Sequence, residues 1–170
     1  MICFLTYIMQ VDDESLFREY YELKQESGIP FLYFYYKLKH IKDGPRMSPR
    51  KFYLKYKKWL MDNHLEDIYH STTDYILWIL DHFVATAQER EKCMSIHADL
   101  KNNNLKPPFT ELCVGISIFT LSTTELNILS ITEEIGLKPE TVSRCRTWIN
   151  DHMIQSKSQS INTYPVFSEQ

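Results

Sequence analysis

Glycine is scarce in this 170-residue chain: only four occur, at positions 28, 44, 115 and 136. Backbone that must wrap closely around a phosphate needs glycine, because any side chain blocks the approach. Neither GxGxxG nor GxxxxGK followed by Ser or Thr is present, which disfavours the common dinucleotide-binding and P-loop enzymes. Cysteine is sparse too. Cys3, Cys93, Cys113 and Cys145 stand far apart with no CxxC, so reduced thiols and an intracellular protein are expected. No run of 18 apolar residues occurs, and the apolar opening from Met1 to Met9 has neither a basic leader nor a small-residue cleavage site. The sequence therefore predicts neither secretion nor a membrane span.

Bulk is what the chain does have. Hydrophobic residues make up 44% and aromatic residues 14%, with 11 Tyr, 9 Phe and 3 Trp, enough to build a core for one domain or one domain plus an extension. The net charge of −3 hides an asymmetry. Residues 37–58 carry nine Lys or Arg against one acid, Asp43, a local charge of +8 that leaves −11 for the rest of the chain. Lys51, Lys55, Lys57 and Lys58 fall within this stretch, interleaved with Phe52, Tyr53, Tyr56 and Trp59. Cations mixed with aromatics suit a phosphate backbone, and equally suit a solvated helix face whose lysine stems cover apolar neighbours.

Periodicity predicts helices throughout. Asp12, Asp13 and Glu14 open an amphipathic helix closed by Gly28 and Pro30, and the aromatic run from Phe31 continues as helix to Ile41. Ser48 followed by Pro49 starts a helix to about Met61. A long helix is expected from Ser71 to about Leu100, then a small-residue apolar helix from Thr110 to Thr120 that belongs at the centre. Two more come after it, at 126–135 and from Pro139 to about Ile154, before a Ser- and Gln-rich tail.

The informative motif runs from Ile131 to Ile149, ITEEIGLKPETVSRCRTWI. Its layout is helix, tight turn at Gly136, second helix, with Val142, Cys145 and Ile149 pointing inward at helical spacing. Glu140, Thr141, Ser143, Arg144 and Thr147 then face outward, where a recognition helix presents side chains to a major groove. Any two helices joined by a glycine turn produce the same pattern, so the motif is moderately specific.

From Arg46 to Ile154 the chain resembles one cyclin-like repeat of the transcription factor IIB family. SPRKFYLKYKKWLMDNHL matches the first helix, TTDYILWILDHFVATAQEREKC the second, PPFTELCVGISIFTLS the central helix and LSITEEIGLKPETVSRCRTWIND the last two. The central helix carries Cys113, Val114, Gly115 and Ser117 where the family prefers alanine, and Asn104-Leu105-Lys106-Pro107 stands for its Gly-Arg-x-Pro turn. The family also carries a zinc ribbon and two repeats, whereas this chain has room for one repeat, as a divergent or partial member of viral type would.

The resemblance implies an all-α protein with a helical extension over 1–45, a five-helix cyclin-like box over 46–156 and a flexible tail over 157–170. It further implies action in transcription initiation, in the nucleus or at a cytoplasmic site of transcription, with double-stranded DNA, a TATA-binding protein-like factor and RNA polymerase as partners. Lys138, Thr141 and Arg144 are the positions it matches to DNA-facing residues. The alternative is a cyclin-type module that binds a kinase or polymerase subunit without DNA.

Other constellations are weaker. Cys93 and His97 share a helix face, and with His82 and Cys113 they outline a conceivable zinc site, but paired short spacings are missing. No acid–base pair or activated nucleophile is recognisable, so no enzyme, metal or cofactor is expected. The Phe31–Tyr36 run is expected to pack rather than stack on bases, and Trp59, Trp78 and Trp148 to anchor the core.

Overall fold

The computed structural model describes residues 12–39, 45–123 and 127–161, with side chains as far as Met153. All regular structure among the described residues is helical, in eight helices and no strand. They are α1 (Asp13–Ser27), α2 (Phe31–Lys39), α3 (Pro49–Asp62), α4 (Thr72–His82), α5 (Ala87–Asn102), α6 (Glu111–Ser122), α7 (Ile128–Ile135) and α8 (Pro139–Ile161). The Cys3 thiol, Lys42 and the residues from 162 onward lie outside the described residues.

Local chemistry sets the starts. Asp12, Ser48, Ser71, Thr86 and Thr110 each sit in extended backbone and accept a hydrogen bond from the N–H three residues on, satisfying a donor the helix cannot. Ser71 with Asp74, and Thr86 with Glu89, close full capping boxes.

The ends are less ordinary. Gly28 takes the left-handed conformation after α1, as glycine does freely. Three other helices end on left-handed residues that are not glycine: His64 (φ 54°), Val84 (φ 50°) and Asn104 (φ 53°). In each, the next residue's N–H returns to a carbonyl five positions back: Leu65 to Leu60, Ala85 to Leu80 and Leu105 to Leu100, each at 2.9 Å. This is the six-to-one closure of a Schellman cap.

That geometry corrects one expectation. The single helix from Ser71 to Leu100 is two helices, broken at Phe83–Thr86 with Val84 at its corner. Arg90 clamps the break: its guanidinium donates to the carbonyls of Leu80 and Ala85, both at 3.2 Å, and pairs with Asp81 at 2.9 Å.

The chain divides into two compact units. One holds the described residues up to His70 together with Glu134–Gly136. Its core is aromatic, with Phe34, Phe52 and Tyr56 fully buried. Tyr20 lies 4.9 Å from Tyr56 and 5.0 Å from Phe34 between ring centroids, and Phe17 lies 5.1 Å from Phe52. The Phe31–Tyr36 run is helical and contributes to this packing, as expected. Each such ring pair adds about 0.5–1.5 kcal/mol beyond area burial. The Lys24 ammonium is buried here, 2.8 Å from the Asp67 carboxylate, which also holds Lys57 at 2.9 Å. The basic helix α3 belongs to this unit, packed against α1 and α2, whereas the sequence assigned it to the box.

The other unit spans Ser71–Glu133 and the chain from Leu137 onward, and so takes in α4, α5, α6, most of α7, and α8. Ten of the twelve residues of α6 are buried, and α4, α5 and α8 pack around it. A Cβ on Gly115 would stand 3.2 Å from Cδ1 of Ile79, so the missing side chain is what admits α4. Hydroxyls inside α6 return to its own carbonyls: Ser117 donates to Cys113 and Ser122 to Ile118. A helix this apolar can thus carry buried polar side chains at little cost. The last helix runs on to Ile161, past the Gln155 boundary suggested by its Ser and Gln content. Trp59 is buried as a core anchor, but Trp78 and Trp148 are half-exposed and stack on His82 and His152.

Candidate nucleic-acid interface

The helix pair at the motif is built by a full C-cap. Gly136 adopts φ +86°, and the Leu137 N–H donates to the Thr132 carbonyl at 3.0 Å, closing α7 and releasing the chain into α8. Glycine is required twice over there, since a Cβ at position 136 would lie 2.0 Å from Cδ2 of Tyr36. Lys138 is the exposed third residue of the turn, and its carbonyl accepts from Thr141 and Val142 to start α8.

The inner face of α8 is the one expected. Val142, Cys145 and Ile149 are fully buried, and Val142 meets α6 through the Ser117 hydroxyl. A hydrogen bond with Cys113 and burial push the Cys145 thiol well above its ordinary pKa, so it remains a protonated core group. Outward stand Glu140, Ser143, Arg144 and Thr147, all exposed, with Thr141 half-buried at the edge. With Pro139, the four exposed residues line a shallow, open depression. Among the described residues no ion pair joins Arg144 to Glu140, so the guanidinium presents its donors to solvent.

The four lysines of α3 do not form one set. Lys51, Lys55 and Lys58 share a stripe at spacings of four and three, and all are exposed. Lys55 pairs with Asp13 at 3.4 Å, both side chains open to solvent and the contact worth little. Lys57 points elsewhere and is held by Asp67, whose hydrogen bond raises its pKa above the usual lysine value. Lys51 and Lys58 carry no ion pair among the described residues. Sequence reasoning missed this division because Asp13 and Asp67 lie in other segments, and counting charge along a segment registers no tertiary partner.

The residues of the conceivable zinc site have other occupations. Cys93 is buried, its thiol pushed up to about 11 by burial. His97 Nε2 lies 2.8 Å from the Thr73 hydroxyl, and His82 stacks on Trp78. Among the described residues no group of three or more His, Cys, Asp or Glu has metal-binding geometry. No described helix is long and apolar enough to cross a membrane.

A groove absent from the sequence reading lies between the start of α4, the end of α5 and the start of α6. Its volume is about 460 Å³, and Lys101 and Lys106 stand on its rim. No protein-family model matches the chain, and no curated protein matches it.

Proposed function

We propose that the protein is a duplex-DNA-binding factor of transcription initiation, similar to transcription factor IIB, with α4–α8 forming a cyclin-like box around α6. The stretch that resembles the repeat opens at Arg46, and its first helix, α3, groups with α1 and α2. The observation that carries this reading is the outer face of α8: a C-capped helix and a three-residue turn lead into a helix whose Arg144, Ser143 and Thr147 are exposed and whose Arg144 has no ion-pair partner among the described residues. A planar guanidinium with free donors forks onto guanine in a major groove, and neighbouring hydroxyls read bases or phosphates. Thr141 and Lys138 flank it. The lysines of α3 contribute sequence-independent phosphate contacts, carried mainly by Lys51 and Lys58 since Lys57 is held by Asp67 and Lys55 is partly screened by Asp13. A TATA-binding protein-like factor and RNA polymerase are the protein partners this reading implies, within a cell's transcription compartment.

Competition binding on a panel of duplexes, with and without TATA-binding protein, tests the assignment. Arg144→Ala should flatten sequence preference, at about 1–3 kcal/mol for the preferred site. Lys51→Ala with Lys58→Ala should weaken all duplexes alike and reduce the log–log salt slope by about 1.8. Unchanged preference in Arg144→Ala removes that residue from the recognition surface. Absence of duplex binding at low salt, together with capture of a kinase, replaces the reading with the cyclin-type one.

A further inference from the structure

The groove beside α5 has a chemistry that DNA does not explain. Its floor is apolar: Leu100 and Val114 are buried, and Leu105, Pro107 and Phe109 are half-exposed above them. Its rim is cationic. Lys101 and Lys106 are exposed and form no ion pair among the described residues, while Glu111 is the one acid among the lining residues. His97 adds no charge at neutral pH, since burial and the nearby Lys101 hold its pKa below the ordinary value and its Nε2 already meets Thr73.

Bare phosphate contact needs cations and gains nothing from a recessed floor of Leu, Pro and Phe. A small molecule needs enclosure, because such sites bury most of their ligand, whereas this groove is only partly enclosed. A peptide satisfies both features: it crosses an open groove, presses one large side chain into the floor and sets charged residues on either side.

We infer that this groove docks a short acidic segment of a partner protein, seating one bulky apolar side chain on the Leu105–Pro107–Phe109 floor and carboxylates against Lys101 and Lys106. The site is separate from the outer face of α8, and it stands whether or not α8 binds duplex DNA.

The test uses the full chain and a fluorescein-labelled peptide with a single Phe flanked by Asp and Glu, read by fluorescence anisotropy. Saturable binding is expected, weakened at least about tenfold by Lys101→Glu with Lys106→Glu and left unchanged by Lys51→Glu with Lys58→Glu. A peptide carrying Lys in place of its acids should bind the Lys101→Glu, Lys106→Glu variant better than the original chain. Replacing the peptide's Phe by Ala should abolish binding to the unmodified protein, a readout that needs no variant to fold. Equal weakening by both lysine pairs, indifference to the Phe, or no binding at all overturns the proposal.

Discussion

Val84 is a β-branched residue at φ +50° with 82% of its surface exposed, and it sets up a measurement in which two structural readings give opposite signs. In the left-handed region an L side chain costs about 1–2 kcal/mol relative to glycine, and a β-branched one stands at the unfavourable end. Because the side chain is mostly in water, trimming it forfeits only about 0.4 kcal/mol of burial. Glycine returns about 0.5–1 kcal/mol through its larger backbone entropy. Val84→Gly should therefore match or exceed the stability of the original chain, by up to about 1 kcal/mol, and Val84→Ala should fall below Val84→Gly. In the continuous Ser71–Leu100 helix suggested by the apolar stripe, the order reverses, since alanine exceeds glycine inside a helix by about 1 kcal/mol. The Gly-minus-Ala difference thus spans about 2 kcal/mol between the two cases. Urea unfolding followed by tryptophan fluorescence, with Trp78 in α4 itself, resolves that span. If Val84→Ala proves the more stable of the pair, the broken corner and the strain argument both fail.

Asp67→Asn should cost about 2–3 kcal/mol in the same assay, because it strands the Lys24 ammonium, whose side chain is 8% exposed, whereas Lys57→Met, which removes the solvent-facing partner, should cost no more than about 1 kcal/mol. Burial raises the Asp67 carboxyl, but hydrogen bonds from Lys24 and Lys57 outweigh it and hold the group below its ordinary value. Its contribution is then complete above the unfolded-state pKa of about 3.9 and fades as pH falls through the folded-state one, so wild-type and Asp67→Asn stabilities should converge in acid. Gly136→Ala should cost about 3 kcal/mol or more in thermal melts, from the positive φ together with a Cβ 2.0 Å from the Tyr36 ring. Adding Tyr36→Ala should recover the clash but not the strain.

How much the sequence made legible depends on where the information resides. Helix starts are written in single residues with side-chain oxygens, so Asp12, Ser48, Ser71 and Thr110 stand where composition placed them. Glycine marks the ends at Gly28 and Gly136, and the ends expected near Met61 and Leu100 fall within two residues of those at Asp62 and Asn102, whereas the end at His82 carried no signal. At His64, Val84 and Asn104 the left-handed turn is held by the succeeding, partly buried residue, Leu65, Ala85 or Leu105, whose N–H reaches back five positions. Around Val84 the apolar stripe continues through Phe83 and Ala87 at helical spacing, so periodicity favoured the wrong side of the break. Arg90, which satisfies the carbonyls opened there, reads in sequence as one more surface cation.

Charge shows the same division between local and tertiary information. The outer face of α8 could be derived from its inner one, because Val142, Cys145 and Ile149 fix the helix rotation and leave Arg144 nowhere but outside. The +8 segment could not be divided that way. Its lysines at 51, 55, 57 and 58 all lie on one helix at expected spacings, yet Lys57 is held by an acid ten residues later and Lys55 by one 42 residues earlier. The rim of the α5 groove was hidden for a related reason. Lys101 and Lys106 are ordinary in a chain with 19 basic residues, and what distinguishes them is an apolar floor that Leu100, Phe109 and Val114 supply from two helices and the loop between them. What distinguishes one cation from another in this protein is therefore less how many others share its segment than what the fold places beside it. An acid beneath Lys57 ties it to structure, open solvent beside Arg144 leaves its donors unpaired by any described acid, and apolar side chains border Lys101.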